Sequence, residues 1–299
     1  MAEFGGKKFV FVVSSGRTGT KAIAQHLSRC YPEVFAVHEP KPSWRLRMGT
    51  TRALGGKATR EELREMLVKL RRGLVGRVER GIYVESNPYL AGFIEVLGEV
   101  FEGASVVHVV RDARTYVRSG VNFGAFAGMK KLAAEWWPDW FPKPEEREVR
   151  SQKSEVRRGP SPRPSPGVPG EGERGGELKW GEMDAIERLA WFWSLVNSHL
   201  NRGEGVYGPK YLRVRFEELF LGDGLGRLTD WMELPRSSAM IEEAKRERVN
   251  ASTGDQLPEW EKWCGADQHK VMRHCEELMR VYGYLKEEGA ERREAVEVS

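Results

Sequence analysis

Cysteine is scarce in this chain of 299 residues, which holds only Cys30, Cys264 and Cys275. The number is odd and no pair has metal-ligand spacing. A disulfide framework and a structural zinc site are therefore excluded, and a reducing compartment is implied. Long hydrophobic runs are lacking too. None approaches the roughly 18 apolar residues of a membrane span, and the first apolar run, FVFVV at 9–13, stops at Ser14. That run is too short for the core of a secretory leader, so a cytoplasmic protein with no membrane span is expected. Neither sign of charge dominates: Lys and Arg outnumber Asp and Glu by 48 to 44, a formal net charge of +4. No basic stripe carries interleaved aromatics, so nucleic acid is not an expected partner. The small basic excess suits a small anionic ligand.

What remains is a globular composition, 40% hydrophobic and 31% charged, in a chain long enough to bury a core without staples. Five segments read as strands: 9–13, VFAVHEP at 34–40, GIYVESNP at 81–88, ASVVHVVRD at 104–112 and KYLRVRFEEL at 210–219. The first is continuously apolar, as in a strand buried on both faces, whereas the last alternates as on an edge. Helical patterns fall between them: Ile23, Leu27 and Cys30 before Pro32, then 59–78, 89–100, 116–123 and 182–200. The alternation predicts a single α/β domain over 1–299, three layers α/β/α around a central, mainly parallel sheet. Ligands of such sheets bind beyond the carboxyl ends of the strands. One stretch departs from the pattern. Residues 144–181 are rich in Pro, Gly and charge with almost no apolar residues, and predict a disordered insertion.

Between the first strand and the first helix stands SSGRTGTK, residues 14–21. A strand, a glycine turn and a helix aim backbone N–H groups and the positive end of the helix dipole at one point, which makes an anion site. Gly16 and Gly19 allow close approach of the backbone, while Thr18 and Thr20 offer hydroxyls. The Walker A pattern needs Gly-Lys-Ser/Thr, whose hydroxyl ligates magnesium. Here Lys21 is displaced and Ala22 follows it, and no strand ends in a Walker-B Asp, because Asp112 follows Arg111. This argues against a metal-dependent phosphoryl transferase. Arg17 is a permanently charged planar donor suited to an anion without metal help. A second element, VVHVVRDARTYVRSG, ends a strand in Arg111 and carries Ser119 on the next helix. The pair predicts a ligand with two separated anionic groups.

Together SSGRTGT and VVRDARTYVRSG resemble the two cofactor motifs of sulfotransferases, which use 3′-phosphoadenosine 5′-phosphosulfate (PAPS). The loop is closer to the Golgi-type carbohydrate and tyrosylprotein branch than to the cytosolic steroid and phenol branch. The resemblance implies a P-loop-type fold, with PAPS as co-substrate and no metal. It places the 5′-phosphosulfate on Ser15, Gly16, Arg17, Thr18, Gly19, Thr20 and Lys21, and the 3′-phosphate on Arg111 and Ser119. By looser analogy with the C-terminal cofactor segment, Arg248 and Asn250 contact the adenosine or the 3′-phosphate. LAWFWSLVN at 189–197, YLRVRFEEL at 211–219 and the segment 248–284 extend the likeness over about 8–285, the insertion apart.

Sulfuryl transfer needs charge neutralised on the leaving phosphate and a proton accepted from the acceptor. Arg17 and the loop N–H groups fit the first task; Lys21 is a second candidate or points to solvent. For the second task, Glu39 ends the second strand in VHEP, the context in which the resembling branch places its catalytic Glu. His38 is the rival base. Strand alternation sends neighbouring side chains to opposite sides, so one of the two is expected to face the acceptor. Glu85 and Ser86 either line the acceptor pocket or serve in a structural ion pair, and His108 reads as a satisfied core residue. The tryptophans of EWWPDWFPKP, 135–144, read as core or covering loop, with stacking on an acceptor as the alternative. The expected acceptor is a small molecule or carbohydrate hydroxyl. A P-loop kinase using ATP and magnesium, and a nucleotide-binding module without catalysis, are the other classes.

Overall fold

The computed structural model describes residues 6–79, 81–136, 139–144, 179–246 and 257–285. Within them lie five strands: β1 (Lys8–Ser14), β2 (Val34–His38), β3 (Ile82–Ser86), β4 (Ser105–Val110) and β5 (Tyr211–Arg215). All five expected strands are present; β1 extends one residue beyond 9–13 at each end, and the other four are shorter than the segments that announced them. They form one all-parallel sheet in the order β2-β3-β1-β4-β5. The alternating β5 lies at an edge, as its pattern predicts.

The helices are α1 (Thr20–Cys30), α2 (Ser43–Leu54), α3 (Arg60–Val75), α4 (Leu97–Val100), α5 (Ala113–Asn122), α6 (Gly128–Trp136), α7 (Ala185–Tyr207), α8 (Phe216–Leu221), α9 (Gly224–Trp231), α10 (Ser238–Arg246) and α11 (Gly265–Val281). β1 divides them into two layers. Phe9, Phe11 and Val13 face a core filled from α2, α3, α5, α7 and α11. Val10 and Val12 face the opposite core, filled from α1, α8, α9 and α10. An unbroken apolar strand is thus buried on both sides because its two alternating faces each meet a helical layer.

Helices α6 and α8–α11 fall in stretches without a helical reading, and three further features differ from the sequence expectation. Helix α2 is unannounced by periodicity, since SWRLRMGTTRAL is polar on average and interrupted by Gly49 and two threonines. The stretch 89–100 is broken: Asn87 Oδ1 accepts from the Tyr89 N–H at 3.0 Å, Pro88 opens a short 3-10 turn, and α4 has only 4 residues. Gly92 in that turn presses on α2 so closely that a Cβ would stand 2.5 Å from Thr50 Cα. Lastly, the expected insertion reaches too far toward the carboxyl end. Residues 145–178 lie outside the described residues, but Trp180 is buried and packs on Phe141 and Trp191.

From β1 the chain moves outward to β2, returns to β3, and then crosses β1 to reach β4. The strand order therefore reverses between β1 and β4. A crevice opens beyond the carboxyl ends of strands at such a reversal, and the loops after β1 and β4 border it. Among the described residues no helix is long and apolar enough to cross a membrane.

Candidate active site

The loop after β1 is built on left-handed backbone: Gly16 has φ 89°, Arg17 φ 55° and Gly19 φ 69°. Gly19 caps α1, and any Cβ there would lie 2.6 Å from the Phe220 ring. Glycine is required at this position on both counts. Arg17, which is not glycine, holds a sparsely populated conformation of the sort found at ligand clamps. The floor of the loop is fixed from below. Tyr116 OH donates to the Ser15 carbonyl at 3.3 Å and the Gly16 N–H donates to Ser14 Oγ at 3.0 Å.

Two hydroxyls in this loop, Ser15 Oγ and Thr18 Oγ1, are buried without a hydrogen-bond partner among the described residues. Leaving a buried polar group unpaired costs about 1–3 kcal/mol. Their donor chemistry suits an anionic oxygen.

The second expected element meets the first directly. Arg17 Nε donates to Ser119 Oγ at 3.1 Å, and Arg111 donates through a terminal nitrogen to the Arg17 carbonyl at 2.6 Å. The parallel pairing of β1 with β4, Ser14 beside Val109, brings these distant residues together. Arg111 Nε also donates to Thr115 Oγ1 at 3.0 Å, and Trp193 Nε1 donates to the Arg111 carbonyl at 2.9 Å. Both guanidiniums lie on aromatic rings, Arg17 over Phe123 and Arg111 over Phe216, each 4.6 Å from the centroid. Burial lowers the pKa of each, and for Arg111 the charge on Arg17 adds to the effect. Guanidinium nevertheless stays charged in proteins, so two partly desolvated cations stand side by side. Asp112 is occupied otherwise, as the N-cap of α5 (2.8 Å to the Arg114 N–H) and in an ion pair with the Arg114 guanidinium. Among the described residues no three His, Cys, Asp or Glu side chains are grouped as metal ligands would be.

The remaining loop residues have other contacts. Thr20 is buried and its carbonyl accepts from Ser86 Oγ at 2.7 Å. Lys21 lines an open groove of about 350 Å³ with Gln25, Ser28 and His38. Arg248 and Asn250 lie outside the described residues. Leu257, at the start of the next described segment, is tied to α5: its N–H donates to Asn122 Oδ1 at 2.8 Å.

His38 and Glu39 do not point apart. β2 ends at His38, and Glu39 has φ 45°, which breaks the strand alternation. His38 Nε2 and Glu39 Oε1 are consequently 3.5 Å apart. The Ser86 carbonyl lies near His38 Nδ1 (2.9 Å) and accepts from the Glu39 N–H (3.2 Å). A carbonyl only accepts, so Nδ1 carries the ring proton. The result is an acid–base pair, two strands from β1, or roughly 10 Å at normal strand spacing.

Glu85 lies below this site as a structural residue. It accepts two bonds from Arg71 of α3 (2.7 and 2.6 Å), one from Tyr83 (2.8 Å) and one from Asn87 (2.9 Å). Of the two sequence readings, the structural ion pair is the one observed. His108 is a core residue with both ring nitrogens engaged, by Tyr211 OH and Asn197 Oδ1. Sequence reasoning missed Arg47 on α2, which lies over the Trp140 ring, 3.8 Å from the centroid, and within electrostatic reach of Glu39 and Tyr89. Its helix carried no periodic signal to draw attention to it.

No family model and no curated protein matches the chain. Among solved structures it is similar to the sulfotransferase domain of the Synechococcus PCC 7002 olefin synthase, at 15% identity and TM-score 0.45 over 91% of this chain and 95% of that one. It is also similar to the sulfotransferase domain from the curacin biosynthetic pathway, at 12% identity and TM-score 0.44 over 83% and 81% of the two chains. A sulfotransferase from Alicyclobacillus acidocaldarius aligns at 13% identity and TM-score 0.39, over 79% of this chain and 89% of that one.

Proposed function

We propose that the protein is a PAPS-dependent sulfotransferase that moves a sulfuryl group to an acceptor hydroxyl without a metal ion. The observation that carries this reading is the meeting of Arg17, Arg111 and Ser119 at the carboxyl ends of β1 and β4. The buried hydroxyls of Ser15 and Thr18 beside them, unpartnered among the described residues, fit the same ligand. Two desolvated guanidiniums with hydroxyl donors suit a ligand bearing more than one phosphate-like group.

In this reading the loop residues Ser15, Gly16, Thr18 and Gly19, with Arg17, hold the 5′-phosphosulfate, while Arg111 and Ser119 hold the 3′-phosphate. Through its bond to Ser119, Arg17 spans both groups. PAPS supplies the sulfuryl group and a phosphate leaving group. Arg17 and the α1 N-terminus neutralise negative charge at the loop. Glu39 takes the proton of the acceptor hydroxyl, and His38 Nε2 stands beside the carboxylate to share it. Lys21 borders the groove that reaches His38.

Calorimetric titration with 3′-phosphoadenosine 5′-phosphate and with ATP, each with and without magnesium, tests the reading. The bisphosphate should bind with an affinity indifferent to magnesium, and far more tightly than ATP. Tight, magnesium-dependent ATP binding would instead identify a phosphoryl transferase.

A further inference from the structure

Arg47 is a cation without a matching anion among the described residues. Its guanidinium carbon lies over the Trp140 ring, 3.8 Å from the centroid, and the group donates to the Trp140 carbonyl at 3.4 Å. It is half-buried, and burial lowers its pKa. Other sequestered arginines of this protein meet a carboxylate: Arg71 meets Glu85 at 2.6 Å, Arg114 meets Asp112 at 2.5 Å and Arg188 meets Glu135 at 3.3 Å. Among the described residues no carboxylate lies within 4.0 Å of Arg47. Glu39, within electrostatic reach, is turned to His38 at 3.5 Å. The contact with Trp140 offsets only part of the cost of taking a cation out of water. Arg111 has the same property, a sequestered guanidinium with no carboxylate at ion-pair distance among the described residues, and it belongs to the proposed phosphate site.

Tyr89 is the third member of this group, since Arg47 and Glu39 both act on its hydroxyl electrostatically. Arg47 on the helix after β2, Tyr89 on the turn after β3 and Glu39 at the end of β2 thus lie within electrostatic reach of one another on the carboxyl side of β2 and β3. We propose that Arg47 binds an oxyanion carried by the acceptor, so that the molecule presenting a hydroxyl to Glu39 also bears a carboxylate or a phosphate ester. The inference rests on the sulfotransferase reading only for the role of Glu39. Arg47 supplies the planar donor fork that pairs with such a group, Trp140 supports the fork, and a neutral acceptor leaves it unmatched.

The test is calorimetric binding of 4-hydroxybenzoate, 4-hydroxybenzamide and phenyl phosphate to the full chain and to Arg47→Ala, Arg47→Lys and Arg17→Ala. The acid or the phosphate should bind about 10- to 100-fold more tightly than the amide, the span of one charge-assisted bond. Whichever is tighter names the oxyanion. Arg47→Ala should abolish the preference, Arg47→Lys should keep part of it, and Arg17→Ala should leave it intact. Acid, phosphate and amide binding alike, or not at all, overturns the proposal. So does a preference that survives Arg47→Ala or is lost only in Arg17→Ala. If Arg47→Ala does not give the wild-type circular dichroism spectrum, Arg47→Lys and Arg47→Gln carry the comparison. Arg47-dependent binding of the acid without sulfuryl transfer to any acceptor would sink the sulfotransferase reading and leave the oxyanion site standing.

Discussion

Arg17 Nε donates to Ser119 Oγ at 3.1 Å although 102 positions separate them in the chain. The contact joins a loop after β1 to a helix after β4, and it exists because those strands are neighbours in a parallel sheet. The two elements thereby become one cationic site.

The assignment of the 3′-phosphate to this site makes Arg111 discriminating. Arg111→Ala should weaken binding of 3′-phosphoadenosine 5′-phosphate by about 10- to 100-fold, the loss of a charge-assisted hydrogen bond. Binding of 5′-AMP should change little. Titration of both nucleotides against the variant checks this, and equal losses would remove the assignment.

Ser15 and Thr18 make a prediction of opposite signs. Their hydroxyls are buried without partners among the described residues, so Thr18→Val should stabilise the free protein, by up to about 1–3 kcal/mol. The same substitution should weaken binding of the bisphosphate. Denaturant midpoints and calorimetry on one preparation read both effects. A free protein destabilised by Thr18→Val would show that the hydroxyl serves packing rather than ligand.

For the chemical step, Glu39→Gln should leave bisphosphate binding intact and reduce transfer about 10²–10⁴-fold, the usual contribution of a general base. His38→Gln should cost less. Initial-rate measurements on both variants separate the roles, and near-normal turnover in Glu39→Gln would pass the role of base to His38.

His108 predicts an acid limb in the stability profile. Burial among valines pushes its pKa from 6.5 to about 3. The unfolded chain therefore binds the proton at higher pH than the folded one, so stability is full above about pH 6.5 and falls as pH drops toward 3. His108→Gln should flatten that slope. Urea midpoints at about pH 7 and about pH 4 measure it, and an unchanged slope would assign the acid limb elsewhere.

The sheet was legible because a strand buried on both faces must be apolar throughout, and FVFVV and SVVHVV are nearly so. The turn after β1 was legible because SSGRTGTK places two glycines between an apolar strand and a helix. Other features depend on contacts between distant segments. Helix α2 is held by close approach to the turn at Gly92 rather than by its own periodicity, so Arg47 went unnoticed. The ion pair of Glu85 requires Arg71 from a neighbouring helix, which no local pattern announces. His38 and Glu39 meet because one residue past the strand end takes a left-handed conformation, where alternation no longer applies.

The most direct test of the account is a transfer assay with isotopically labelled PAPS, the full chain, a metal chelator and a panel of anionic and neutral hydroxyl acceptors. The account predicts that 3′-phosphoadenosine 5′-phosphate is released in step with label appearing on an acceptor, that chelation does not slow it, and that Glu39→Gln suppresses it. Bisphosphate binding without transfer to any acceptor, or chelator-sensitive phosphoryl transfer from ATP, would contradict it.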